Sequence, residues 1–437
     1  MKPSRLATKL QRGRWYGWVF WAIASCFYLY EFFIRVTPDA ILQELGGTLP
    51  MSETSLVTAL GAYLWVYAPM QLVVGLLIDR FGSRFPLAVA AVACGAGSLL
   101  FASAGGVIDL GLGRGLQGFG SAFAFVGAIY VATVWCSPKR LALIVGLTTS
   151  VGMIGAIAGQ APVASLAGDF GWQTVVRWGG FIGIGLGVIL LLFIPSRPAW
   201  FNDRVAPEPN RGIFKDIWKV LWNWKLLVVG CISAIVYLPQ SVFAALWGTT
   251  FLKKSLATTA TEAAMLVSIL PFMWLIACPF VGWLSDRVGR RKRLLLIGCV
   301  IGGLAMGGLA LASDIGHGGV VVMLVIGGLF TSTQVLTFVV AMEVCPRNLR
   351  ATAAAACNAI AMLAAAGIQV AIGTALQDSV PVEVAAGQDL LKVATAEDFR
   401  QAFLIIPGMF IIAFVLLLFL PETGGGRMQD RKTTAPH

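Results

Sequence analysis

The stretch "FYLYEFFIRVTPDA" (residues 27–40) places Glu31 and Arg35 four residues apart in an apolar run. A charged side chain at a bilayer centre costs about 2.5–3.5 kcal/mol on insertion scales. Such a pair therefore needs a reason. Tyr28, Glu31, Arg35 and Pro38 share one helix face at spacings of three and four. A self-neutralising pair would explain the two charges without any function. A second intramembrane arginine argues for more. Arg114 lies in "GRGLQG" with Gln117 and Ser121 at i+3 and i+7, and its run contains no midmembrane acid. One acid against two arginines leaves a surplus positive charge, which calls for an anion. A carboxylate suits a guanidinium because its two oxygens accept a bidentate fork. Arg35 and Arg114 are thus expected to bind a carboxylate. Glu31 is expected to hold or release them and, with no His or Lys at that depth, to be the proton-coupling group.

Other polar residues fall at useful spacings. Tyr63, Tyr67 and Gln71 form an i, i+4, i+8 stripe, and "YLPQSVFAALW" (237–247) carries Pro239, Gln240, Phe243 and Trp247. Gln334 and Asn358 are isolated amides that interhelical hydrogen bonding explains equally well. Trp247, Trp274, Tyr63 and Phe243 would suit a soft pocket for amphipathic compounds. "GRGLQG" also fits the dinucleotide pattern G-x-G-x-x-G. It follows no strand and has no acid about 20 residues on, so that reading fails. There is no phosphate-binding loop, which leaves an ion gradient or facilitation as the driving force. The eight cysteines are scattered in apolar runs without a C-x-x-C, and the two histidines are His317 and His437. No metal site, cofactor or catalytic constellation is expected, so the chain does not read as an enzyme.

The elements that would carry these residues follow from composition. Of 437 residues, 58% are hydrophobic and 12% charged, too few to cover a soluble domain. The apolar residues cluster in blocks of about 20, enough to cross a hydrocarbon core. Twelve helical spans are expected near 15–40, 54–79, 85–105, 107–135, 139–166, 173–195, 225–251, 261–285, 293–313, 318–342, 350–376 and 400–420. The net charge of +11 is a topology signal. With the N-terminus inside, 25 of the 32 Lys and Arg fall before the first span, in alternate loops or in the tail. Both termini are expected in the cytoplasm, in a bacterial inner membrane, with no nucleic-acid partner. The basic start followed by an apolar run resembles a signal peptide. The run is too long and lacks a small-residue cleavage site, so an uncleaved span is expected.

The chain is also duplicated. "GLLIDRFGSR" (75–84) and "GWLSDRVGRR" (282–291) both fit G-x-x-x-D-R-x-G-x-R at an offset of 207 residues. Pro138 and Pro346, after spans four and ten, repeat at an offset of 208. Two signals at one offset imply two homologous six-span halves in the same orientation. The expected organisation is a tail over 1–14, a bundle over 15–195, a cytoplasmic linker over 196–224, a second bundle over 225–420 and a tail over 421–437. Trp218, Leu221 and Trp222, with Lys215 and Lys219 nearby, would make the linker partly an interfacial helix.

With these motifs the sequence resembles the major facilitator superfamily of secondary transporters. The loop signature carries the resemblance in both halves. "LGLGRGLQGFGSA" (110–122) and "GWQTVVRWGGF" (171–181) resemble that family's fourth-span pattern and sixth-span entry. The resemblance implies two six-helix bundles that rock about a central cavity. It implies that spans one, four, seven and ten line that cavity, which brings Gln240, Phe243, Trp247 and Gln334 to join Tyr28, Arg35, Tyr63, Tyr67, Arg114 and Gln117 as substrate-binding candidates. It implies a conformational latch made by Gly75, Asp79, Arg80, Gly82 and Arg84 and again by Gly282, Asp286, Arg287, Gly289 and Arg291. In that latch each acid approaches the positive end of a facing helix and pairs with nearby basic groups. Gly146, Gly155 and Gly159 match a spacing found in the family's exporters, but Gln160 stands where those have Pro. "YEFFIRVTP" looks like the first span of some nutrient permeases. The expected function is proton symport of a small carboxylate-bearing solute (an amino acid, a short peptide or an organic acid) by a monomer. The alternatives are efflux of amphipathic compounds or metal chelates such as siderophores, and a transporter-like sensor or assembly protein.

Overall fold

The computed structural model describes residues 15–48, 52–195, 218–311, 316–379 and 394–423. The expected tail over 1–14, most of the linker and most of the C-terminal tail lie outside the described residues. The described residues are helical. Twelve spans run over Trp15–Ala40, Glu53–Phe81, Arg84–Ala102, Val107–Trp135, Pro138–Phe170, Trp172–Phe193, Trp224–Ser255, Ala260–Val288, Arg291–Leu311, Gly316–Val344, Arg347–Ser379 and Ala396–Phe419. Helices are forced here because a bilayer offers no partner to an unpaired backbone group. Their ends carry caps. Ser52 accepts from the backbone N–H of Ser55, Asn223 from Lys225, and Thr259 and Thr395 form reciprocal boxes with Glu262 and Asp398.

Six spans are irregular: spans eight and twelve break at single residues, Ser268 and Leu404, and the break in span five follows from proline. Span two bends by 53° between Thr58–Gln71 and Val73–Phe81. Span five was expected to be continuous, but it breaks at Gly159 and Gln160 because Pro162 cannot continue the ladder. Span seven widens into π-helical turns over Pro239–Trp247, and span ten tightens into a 3-10 turn over Ser332–Gln334.

Spans one to six pack into one bundle and seven to twelve into another, and small residues set how closely. A Cβ on Gly118 would lie 2.3 Å from the carbonyl oxygen of Tyr63, and one on Gly120 2.2 Å from that of Ala90. In lipid, where apolar burial drives little, such backbone approach supplies the packing. Gly155 and Gly159 serve it too, pressing on Leu29 and Phe33 of span one. The bundles meet through spans two and eleven and through spans five and eight.

Candidate functional site

The loop signatures fix one end of the molecule. Gly82 (φ 80°) and Gly289 (φ 66°) both sit at positive φ, where they end spans two and eight. Seven residues before each of those glycines, Gly75 and Gly282 touch the other bundle. A Cβ there would come within 2.4 Å of Thr352 Cα and 2.2 Å of the Ala142 carbonyl oxygen. That contact delivers each acid to a helix start. Asp79 accepts from the backbone N–H of Ala351 (3.2 Å) and Thr352 (2.8 Å), and from the Thr352 hydroxyl (2.7 Å). Asp286 accepts from the N–H of Ala142 (3.3 Å) and Leu143 (2.9 Å). Each contact pairs a carboxylate with a helix N-terminus and is worth about 0.3–2 kcal/mol. Together they close the signature end between the bundles.

The arginines of the two signatures differ. Arg291 lies 3.4 Å from Asp286 and also donates to Glu343 at 2.9 Å. Arg84, its counterpart, donates instead to the carbonyl of Leu191 at 2.7 Å. Arg80 and Arg287, adjacent to the acids in sequence, turn to the rings of Phe81 and Trp283. The basic partner of Asp286 is therefore Arg291 and not its neighbour Arg287, because adjacent helix residues do not face each other.

Midway along the spans, a cavity of about 460 Å³, including space open to solvent, lies between the bundles. Tyr28, Phe32 and Arg35 of span one, Tyr67 of span two, Phe125 of span four, and Thr149 and Met153 of span five line one side. Tyr237, Trp274, Gln334, Phe338, Asn358 and Met362 line the other. Two contacts cross between them: Phe125 to Phe338 (4.7 Å between ring centroids) and Asn358 Nδ2 to the Tyr67 hydroxyl (3.4 Å).

Arg35 is the only lining residue with a full charge. Its Nη2 lies 2.5 Å from Glu31 Oε1, and its Nε donates to the Tyr63 hydroxyl at 3.2 Å. That hydroxyl in turn donates to Glu31 Oε1 at 2.7 Å. Phe32 and Tyr67 hold their rings 4.7 and 4.8 Å from the guanidinium. The Arg35 side chain remains 20% exposed, whereas that of Glu31 is 1% exposed. Glu31 Oε2 is buried and has no hydrogen-bond partner among the described residues.

Arg114 does not join this wall. It is buried behind Tyr63, its guanidinium 4.6 Å from that ring. It donates to the Ile34 carbonyl (3.1 Å), the Leu60 carbonyl (3.4 Å) and Gln117 Oε1 (2.7 Å). Gln117 passes the chain on to Ser98 at 2.9 Å. Asp39, at the end of span one, is near enough to interact electrostatically with Arg114. The sequence count of a surplus charge omitted Asp39. The cavity faces one ion pair, and Arg114 spends its donors on carbonyls and Gln117 away from it.

Of the other substrate-binding candidates, Tyr28, Tyr67 and Gln334 reach the cavity. Tyr63 instead forms the bridge behind Arg35. Phe243 and Trp247 pack into a ring cluster with Phe251, Phe399 and Phe403, joining spans seven and twelve. Gln240 is buried in the π-helical segment with Nε2 unpartnered. Phe32, Phe125 and Phe338 escaped the sequence reading. They lie four residues after Tyr28, Ser121 and Gln334, on faces already singled out.

Comparison with known proteins fits this arrangement. A citrate-proton symporter of Salmonella typhi is 28% identical over 51% of this chain and 54% of its own length. A probable sulfoacetate transporter of Cupriavidus necator, SauU, is 24% identical over 59% of this chain and 61% of its own. A membrane sensor protein of Salmonella typhimurium, UhpC, is 23% identical over 62% and 65%. The matched region thus spans between about half and two thirds of these relatives. A double-tryptophan variant of XylE superposes with a TM-score of 0.72 at 18% identity, covering 96% of this chain and 98% of that one. An inward-facing bacterial homologue of the lysosomal transporter Spinster gives 0.58 at 16% identity, covering 93% and 97%. These likenesses show the fold. Residues 19–368 match the family described as Major Facilitator Superfamily, and the chain belongs to that family.

Proposed function

We propose that the protein is a secondary active transporter that moves a small carboxylate-bearing organic solute across the inner membrane by alternating access, coupled to proton symport. One observation carries the reading. The single cation on the cavity wall, Arg35, is bound to one buried acid whose second oxygen has no partner. With Glu31 ionised, the pair neutralises itself and offers an anion little. A proton on Oε2 removes the acid's charge and leaves Arg35 able to hold a substrate carboxylate through its exposed part. Proton and anion then bind together and leave together. The latch closes the signature end while the cavity loads, and rocking exposes the cavity to that end. The citrate symporter and sulfoacetate transporter among the relatives are consistent with anion transport. The sensor UhpC is the observation that favours the other reading, a protein that binds its solute without moving it.

Proteoliposomes test this. An inward proton gradient should drive accumulation of a labelled organic acid by the wild type. Arg35→Lys should lose at least tenfold in uptake, because an ammonium cannot reproduce the planar fork. Glu31→Gln should lose uphill accumulation yet exchange labelled for unlabelled solute, since Gln keeps the shape but cannot titrate. Undiminished accumulation by Glu31→Gln would dismiss Glu31 as the coupling group. Binding without counterflow in the wild type would favour the sensor.

A further inference from the structure

We infer that the cavity selects an aromatic monocarboxylate, a single acid group on a flat ring-sized body without an ammonium. This rests on the carboxylate reading above and narrows it. Arg35 is the one charged residue on the wall, so a second or third carboxylate would enter without a partner. No Asp or Glu lines the cavity, and the nearest acid, Glu31, is 1% exposed and held by Tyr63 and Arg35. A substrate ammonium would therefore be equally unpaired, which sets amino acids and peptides aside. The wall's amide and threonine donors are committed, which leaves the hydroxyls of Tyr28, Tyr67 and Tyr237 as its polar groups toward a solute. Gln334 Nε2 donates to Ser233 (2.9 Å), Asn358 Nδ2 to Tyr67 (3.4 Å) and the Thr149 hydroxyl to the Val145 carbonyl (3.1 Å).

What the wall does offer is ring surface. Seven of its thirteen residues are aromatic. Two of those rings, Phe32 and Tyr67, flank the Arg35 guanidinium. A carboxylate on Arg35 thus brings the atoms attached to it directly among aromatic rings. On the opposite bundle, Trp274 is fixed by its indole N–H to Thr331 at 3.1 Å, with Tyr237 5.8 Å away centroid to centroid. Rings fixed in this way favour a planar partner in offset or edge-on contact.

A ligand series on the full-length protein in detergent decides the matter, with thermal stability and tryptophan fluorescence as readouts. Benzoate and 3-phenylpropionate should bind at least tenfold more tightly than propionate, citrate or L-phenylalanine, and benzamide should not bind. The preference for benzoate over benzamide should vanish in Arg35→Gln. Citrate or L-phenylalanine binding as tightly as the aromatic acids would overturn the narrowing and leave the carboxylate reading standing. So would propionate matching benzoate, or the aromatic acids failing at millimolar concentration while propionate or citrate binds. Benzamide matching benzoate on the wild type, or no acid of the series binding, would overturn the carboxylate reading and the narrowing with it.

Discussion

At the scale of single residues, the useful contrast is between two arginines that look alike in sequence. Arg35 faces the cavity, while Arg114 faces a defect in span one. Pro38 has no N–H for the carbonyl of Ile34, four residues back, and Arg114 donates to that oxygen at 3.1 Å. Arg114 therefore positions the turn that carries Glu31 and Arg35. A hydrogen bond from a charged donor is worth about 1.5–3 kcal/mol, so Arg114→Ala should weaken substrate binding roughly 10- to 100-fold. The double variant Arg114→Ala with Pro38→Ala should regain most of that loss, because an alanine in place of the proline supplies the missing N–H. Affinity titrations of the four forms check it. Rescue is impossible if Arg114 touches the substrate, so its absence would return Arg114 to the binding site. The sequence showed that Arg114, Gln117 and Ser121 share a face. It could not show Tyr63 standing between that face and the cavity, since spans two and four meet only in the folded bundle. Phe243 and Trp247 were misplaced for a different reason. The resemblance names the span that lines the cavity but not the face, and the π-helical segment over Pro239–Trp247 turns its side chains away from α-helical positions.

At the scale of elements, the duplicated loop was legible because each of its positions has a separate physical demand. Two glycines must end a helix at positive φ, two must let backbones touch, and two acids must reach helix starts. Such demands fix residue types at fixed spacing, which a sequence displays directly. The asymmetry between the copies was not legible, because Arg84 and Arg291 occupy equivalent positions and differ only in what lies within reach. The two latches act between bundles, so their loss should change state populations rather than binding chemistry. Asp79→Asn and Asp286→Asn should each shift the ratio of signature-open to signature-closed molecules by about 2- to 30-fold, the range of a carboxylate at a helix N-terminus. Distance distributions between spin labels across each end would report it, with substrate affinity of the closed form unchanged. Unchanged populations in both variants would reduce the acids to topology signals.

At the scale of the whole molecule, two quantities can be predicted: which way it sits in the membrane and how much charge crosses per cycle. From the distribution of Lys and Arg we propose that the signature end faces the cytoplasm. Ser103→Cys and Glu397→Cys, at the far end, should then react with an impermeant thiol reagent added to intact cells, while Lys139→Cys and Arg290→Cys should not. The exposed native thiols Cys26 and Cys231 must be replaced first. Cys136 and Cys345 can stay, because burial pushes their thiols up to about 12 and about 11, leaving little thiolate to react. The reverse labelling pattern would invert the molecule. Once orientation is known, the charge count follows from the site. The proposed mechanism makes Glu31 the single proton acceptor at the cavity and Arg35 the single anion partner. One proton therefore accompanies one monoanion, and the loaded carrier moves no net charge relative to the empty one. Uptake should rise with an inward proton gradient and stay level when potassium and valinomycin clamp the membrane potential at different values. Adding substrate to proteoliposomes on a solid support should produce no transport current. A current of positive sign would mean more than one proton per anion, and so a second titrating group besides Glu31. A current of negative sign would mean that the anion crosses without its proton, and the Glu31–Arg35 exchange would then be a binding device rather than the coupling step.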